Sequence, residues 1–364
     1  QFDLQGADLI KIQQLERETE ATRVLYETFL NRLRETSVQI GIQQADSRVL
    51  SEAIKGIYVA PRKGVILVMG FMLGAMLAAA IVLGREMLQN TFRTAEDLEG
   101  ATRVSVIGQI PKIPTKGRIP TITYLAEKPT SAAAEAVRNL RTSVLMSNVD
   151  SPPQVIMMTS SLPAEGKTTT AIALSQNLAG LGKRVLLIEG DIRRRTFSAY
   201  FPDATKRPGI LSVIAQFGKE DDRAKAATLD QAVFTPEILG IDVLMGEKSS
   251  INAADVFASA AFSDFMKAAR AEYDYIIIDT PPVLVVSDAR VIGPYADAII
   301  YVVNWDKTTK AQVTEGLRQL NSINLKVTGL ALTQIDPKGM KRYGYGKGYG
   351  YGAYGGGAAG YYDN

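Results

Sequence analysis

The pattern of apolar and polar positions divides the chain into five stretches. From 64 to 84, GVILVMGFMLGAMLAAAIVLG, no residue is charged or strongly polar. A helix of this length, at ~1.5 Å per residue, matches the ~30 Å hydrocarbon layer of a bilayer. A core helix would carry a polar face, so the run predicts a membrane-spanning helix over 63–85. Its internal position and the lack of a small-residue cleavage pattern argue against a signal peptide. Before it, Ile12, Leu15, Thr19, Thr22, Tyr26, Phe29, Leu33, Thr36 and Ile40 recur at spacings of three and four. That series predicts a helical arm over 1–62, either coiled-coil-like or an ordinary amphipathic helix, because three of its positions are threonine.

After the apolar run, 86–130 is expected as a linker, with the Pro-, Thr-, Gly- and Lys-rich part from 110 to 130 acting as a tether. Between 131 and 336, short runs such as VIMMT (155–159), RVLLI (184–188) and YIII (275–278) alternate with stretches of helical spacing. Continuous β-branched and leucine runs suit central strands covered on both faces. The fold class is therefore α/β, a mostly parallel sheet with helices on both sides. From 337 to 364 the chain is glycine-rich and nearly without aliphatics, so it cannot build a core and is expected to be a disordered tail.

Composition narrows the chemistry. The formal charge is +3, so nothing demands a nucleic acid; cysteine and histidine are both absent. That excludes disulfides, thiol and imidazole catalysis and the usual zinc sites. Carboxylates, hydroxyls, lysine and arginine remain.

The segment Ser161, Leu162, Pro163, Ala164, Glu165, Gly166, Lys167, Thr168 lies between the 155–159 strand and a helical stretch from Thr169 to Leu181 that runs into Gly180 and Gly182. Strand, loop, helix is the context of a phosphate-binding loop, with backbone N–H groups aimed at a ligand at a helix N-terminus. Lys167 would reach the β- and γ-phosphates and the Thr168 hydroxyl would take a Mg²⁺ position. Two further strands end in carboxylates, Glu189 and Asp191 on one and Asp279 on the other. Ligands bind beyond the carboxyl ends of parallel strands, so all three should stand beside Lys167. Asn304 and Gln334, after later strands, are candidates for the wall around a base.

In order and spacing, SSLPAEGKTTT, LLIEGDIRR and IIIDTPP resemble the Walker A, A′ and B motifs of the bacterial tyrosine kinases, P-loop enzymes akin to septum-positioning and plasmid-partition ATPases. The resemblance covers about 132–336. It implies a protein-tyrosine kinase that uses ATP and Mg²⁺, phosphorylates its own C-terminal tail in trans, and regulates exopolysaccharide or capsule polymerisation and export. Thr168, Asp279 and Asp191 would serve the metal, Asp191 would accept the tyrosine proton, and Arg193 matches the A′ motif. Two positions depart from the pattern: Glu189 stands where Asp is usual, and Leu162 replaces the lysine of the partition ATPases.

Seven tail tyrosines, Tyr343, Tyr345, Tyr349, Tyr351, Tyr354, Tyr361 and Tyr362, would be the phosphoacceptors. Lys341, Arg342 and Lys347 beside them are too few for strong nucleic-acid binding. Glu135, Arg138 and Arg141 share one helical face. By themselves they predict a solvated helix with one ion pair, whereas the resemblance implies the subunit contact of a ring-like homo-oligomer. It also implies a cognate tyrosine phosphatase and polysaccharide export or polymerase proteins as partners. Because ATP is cytoplasmic, 86 onward would lie on the cytoplasmic side of an inner membrane and 1–62 in the periplasm. The chain opens in mid-pattern, so it is expected to be the C-terminal part of a longer protein with an earlier span and a larger periplasmic domain. Rival readings are a membrane-anchored partition-type ATPase and a non-catalytic, ATP-sensing chain-length scaffold.

Overall fold

A computed structural model describes residues 2–42, 56, 60–87, 89–218, 222–248 and 252–342. The chain divides into two units, 1–79 and 80–364. The first contains α1 (Phe2–Ile42) and most of α2 (Lys63–Met87). In α1 the apolar series from Ile12 to Ile40 is exposed. The threonines within it, Thr19, Thr22 and Thr36, return their hydroxyls to carbonyls four residues earlier, which lets a polar residue sit in the series without breaking the helix. In α2 the stretch Lys63–Gly84 has mean hydropathy 2.7 and no buried part; by length and composition it is able to cross a membrane.

The second unit is an eight-stranded sheet between helices. It opens with α3 (Ala95–Thr102), β1 (Val106–Pro111), α4 (Arg118–Glu127) and α5 (Ala132–Leu145). Next come β2 (Val155–Ser160), α6 (Lys167–Ala179), β3 (Val185–Glu189), α7 (Ile210–Phe217) and α8 (Asp222–Ala232). The strands β4 (Val233–Phe234) and β5 (Asp242–Leu244) lead to α9 (Ala253–Phe257), α10 (Ala260–Glu272) and β6 (Tyr275–Asp279). The unit closes with α11 (Asp288–Ile292), β7 (Ala298–Asn304), α12 (Lys310–Asn321), β8 (Gly329–Ile335) and α13 (Pro337–Arg342). Strand order is β1-β8-β7-β2-β6-β3-β5-β4, and every pairing is parallel except β4 with β5.

The expected covering of both faces follows from the pleat, which sends alternate side chains to opposite sides. Ile156 and Met158 of β2 face the cluster formed with α4, α5 and α6, while Val155 and Met157 face the one formed with α7 and α10. Both faces are apolar, hence the unbroken hydrophobic runs in the sequence.

Two expectations are corrected. The tether at 110–130 is folded: β1 extends the sheet by pairing with β8, and α4 buries Ile122 and Leu125. Its prolines disguised it. Pro111 ends an edge strand and Pro120 sits in the first turn of a helix, two places where a missing N–H costs little. The tail begins later than 337, because Pro337–Arg342 forms α13 and Met340 is buried. A Cβ at Gly339 would stand 2.6 Å from the Trp305 ring, so the helix lies directly on that indole. The Trp305 indole N–H also donates to the Arg93 carbonyl at 2.8 Å. The seven tail tyrosines and Lys347 lie outside the described residues.

Candidate active site

The loop after β2 is shaped by two residues in the left-handed region, Ala164 (φ 67°) and Gly166 (φ 90°). At Gly166 an added Cβ would also meet the Thr333 hydroxyl at 3.1 Å, so glycine answers both the backbone angle and the space. Several of the loop's own side chains hold its shape. Ser161 Oγ bonds the Tyr301 hydroxyl at 2.8 Å in the interior. Glu165 accepts from the Leu162 amide at 2.8 Å and from Thr308, while Thr333 donates to the Glu165 carbonyl at 2.6 Å. Burial pushes the Glu165 carboxyl up and these donors pull it back. The side chains of Ser161 and Glu165 and the amide of Leu162 are thus committed to loop shape. Asn304 and Gln334 reach the Ala164 carbonyl, at 3.5 and 2.9 Å.

The first turn of α6 has no side-chain cap; Gly166 occupies the cap position. Its leading amides have no acceptor within the helix, and the dipole favours an anion there. Lys167 and Thr168 open this turn. The Lys167 ammonium is 3.4 Å from Asp279 and 4.0 Å from Asp191, with all three nearly buried. Thr168 donates to the other Asp279 oxygen at 2.6 Å. Burial drives the Asp279 carboxyl above its ordinary range, against the pull of Lys167 and Thr168.

Asp191 Oδ2 and Asp279 Oδ1 are buried without a hydrogen-bond partner. Two hard anionic oxygens beside a hydroxyl suit Mg²⁺, which keeps water and takes substrate phosphates as further ligands. Among the described residues no cluster of three or more His, Cys, Asp or Glu could hold a metal.

Glu189 and Arg193, both expected in the chemistry, are held by other protein groups. Glu189 is fully buried and accepts the amides of Phe197 at 2.6 Å and Gly246 at 2.9 Å, tying the chain after β3 to the end of β5. Burial raises its carboxyl to about 8 despite those donors. Arg193 pairs with the buried Asp288 at 3.0 Å and with Asn252 at 2.8 Å. On α5, Arg138 pairs with Glu135, and Arg141 donates to the Asn177 carbonyl of α6 at 3.0 Å.

A cavity of about 250 Å³ opens over Lys167, Thr168, Thr169 and Asp191, and its rim includes Arg118, Arg194 and Tyr200. The Tyr200 hydroxyl bonds Thr169 at 2.8 Å and its ring lies under the Arg118 guanidinium. Sequence reasoning passed over Arg118 because it stands in the supposed tether, and Tyr200 because its partner is 31 residues away. A larger hollow, about 720 Å³, lies along α1, but it is one face of a single helix and converges no chemistry.

Residues 154–329 match the AAA domain family, and residues 9–87 match the family described as "G-rich domain on putative tyrosine kinase". The tyrosine-protein kinase etk of Escherichia coli K12 is 28% identical over 354 residues, which is 92% of this chain and 47% of that protein. The succinoglycan biosynthesis transport protein ExoP of Rhizobium meliloti is 27% identical over 369 residues, 92% of this chain and 45% of that protein. The chain therefore spans about half the length of the curated relatives it matches. Among solved structures, the kinase domain of Escherichia coli ETK aligns with TM-score 0.58 and 24% identity, over 67% of this chain and 94% of that one, a likeness of fold.

Proposed function

We propose that this homologue of the bacterial tyrosine-protein kinases binds MgATP at the 161–168 loop and transfers the γ-phosphoryl group to tyrosines of its own tail. One observation carries the reading: Lys167 stands against two buried carboxylate oxygens, on Asp191 and Asp279, that have no hydrogen-bond partner. The first-turn amides of α6 and Lys167 hold the β- and γ-phosphates. Mg²⁺, when bound, would neutralise charge on the phosphates; Thr168 and Asp279 would hold it, directly or through water, which leaves Asp191 Oδ2 for the proton. A tyrosine hydroxyl, with an ordinary pKa of ~10, needs a base near neutral pH. Asp191 Oδ2 takes that proton as the new O–P bond forms and ADP leaves.

The wider setting belongs to the same proposal. Helix α2 crosses the inner membrane, with the α/β unit in the cytoplasm and 1–62 outside. The unit assembles through the face of Glu135, Arg138 and Arg141, and phosphorylation regulates export of a polysaccharide, as the name of the ExoP relative suggests.

The test is the intact mass of the purified chain after incubation with MgATP. Additions of one phosphate each, lost in Lys167→Met, are expected. ATP hydrolysis with no added mass would instead point to a partition-type ATPase, and nucleotide binding with neither to a scaffold.

A further inference from the structure

A triphosphate and two carboxylates together bring more negative charge to this cavity than Lys167 and one divalent ion supply. Arg193 does not relieve the excess, because its guanidinium is engaged by Asp288 and Asn252. Arg118 stands differently. It opens α4, a helix that precedes the phosphate loop by some forty residues of chain and packs against α6. Its side chain crosses to the cavity rim, where the guanidinium lies 5.4 Å from the centre of the Tyr200 ring. One nitrogen donates to the Thr196 carbonyl at 3.3 Å. The ring is anchored in turn, since the Tyr200 hydroxyl bonds Thr169 in the first turn of α6.

A guanidinium carries five N–H groups, so ring and carbonyl can fix its direction and still leave donors for a ligand. Stacking over an aromatic face and a single carbonyl bond restrict the rotamers of an otherwise exposed arginine, which lowers the ordering cost when an anion arrives.

We propose that Arg118 is a further nucleotide-binding residue of this site, a cation supplied by α4 that contacts the terminal phosphate of ATP and is aimed by Tyr200. This rests on the nucleotide site proposed above and adds the residue that distinguishes ATP from ADP. Lys167 and the loop amides also hold the β-phosphate, which both nucleotides carry, whereas an arginine at the outer rim meets charge that only the triphosphate carries. As the γ-phosphoryl group passes to the acceptor, the same guanidinium would stabilise the charge spread over its oxygens.

The experiment measures MgATP and MgADP affinity for the full chain in detergent, unmodified and as Arg118→Ala and Arg118→Lys, with thermal unfolding of each without nucleotide. Arg118 is exposed, so both variants should unfold where the parent does. Arg118→Ala should weaken MgATP about tenfold and leave MgADP within about twofold, the loss of one charge-assisted contact. Arg118→Lys should recover part of the difference, because charge remains while the planar fork is lost. Equal weakening for both nucleotides, or unchanged affinity for both, overturns the proposal. Phosphate-dependent binding without tail phosphorylation in the parent chain would sink the kinase reading and leave Arg118 standing. No nucleotide binding by the parent would sink both.

Discussion

At the scale of single residues, strand β3 ends in two acids with opposite fates. Asp191 keeps one buried oxygen free of hydrogen bonds, 4.0 Å from the Lys167 ammonium, and spends the other on the Arg194 amide at 3.0 Å. Glu189 spends both oxygens on backbone amides. The extra methylene of Glu189 lets its carboxylate reach past the strand end to the chain at Phe197 and Gly246, where an Asp would fall short. Asp191→Asn should therefore slow tail phosphorylation by about 10²–10⁴ with little change in stability. Glu189→Gln should keep the rate within about tenfold but cost about 1–3 kcal/mol, since one amide then faces an NH₂ group and not an acceptor. Phosphorylation rates with urea unfolding of both variants decide the matter; a greater loss of rate in Glu189→Gln would return that residue to the chemistry.

Between elements, the ends of the strands away from the site are joined by one carboxylate. Asp297, at the start of β7, accepts the amides of Gln154 and Val155 at the start of β2, at 3.0 and 2.8 Å, and a forked contact from Arg270 of α10. Burial pushes this carboxyl up, but Arg270 and the two amides outweigh it and hold the group below the usual Asp range. A group that binds protons less readily folded than unfolded stabilises fully above its unfolded pKa of ~3.9, and loses that effect as pH falls through the folded value. Asp297→Asn should accordingly be less stable at pH ~7 and decline less on acidification. Urea midpoints at neutral pH and near pH 3 read this, and an acid decline equal to the parent's would refute it.

A second contact between elements links helix packing to the loop. Gly316 of α12 lies so close to the Tyr301 hydroxyl that an added Cβ would overlap it, and that hydroxyl holds Ser161. Gly316→Ala should cost about 1–3 kcal/mol through overpacking and also weaken nucleotide binding by displacing the loop. A variant that loses stability while binding MgATP as tightly as the parent would separate the two effects.

For the whole molecule, the question is which active site meets which tail. Helix α13 is docked on Trp305, so the described part of the chain leads up to the proposed acceptor segment from an anchored helix. Assembly would raise the effective concentration of a neighbour's site. Mixing a Lys167→Met chain with an active chain lacking 343–364 should place phosphate on the Lys167→Met chain, read by intact mass. If that chain stays unmodified, transfer between subunits is wrong. Adding Ala at Glu135, Arg138 and Arg141 of the active chain should cut the transfer sharply, because Arg138 and Arg141 are only part-buried and remain able to meet a partner.

The mostly parallel sheet covered on both faces, the loop after β2 and the carboxylates beside Lys167 were all legible in the sequence. Each is written locally, in unbroken apolar runs, helix breakers and acids at strand ends, within a few residues of the feature it encodes. So was the 63–84 helix, since crossing a bilayer depends on length and apolarity alone. Only the tertiary structure decided what long-range contacts control. It drew β1 and α4 out of a proline-rich tether, because pairing with β8 and packing on α6 outweigh weak local propensity. It gave the side chains of Ser161, Glu165, Glu189 and Arg193 partners distant in sequence, Glu165 also accepting the Leu162 amide of its own loop. It brought Arg118 and Tyr200 to the cavity rim by the same means. No spacing along the chain encodes such meetings; they exist only once the helices have closed on the sheet.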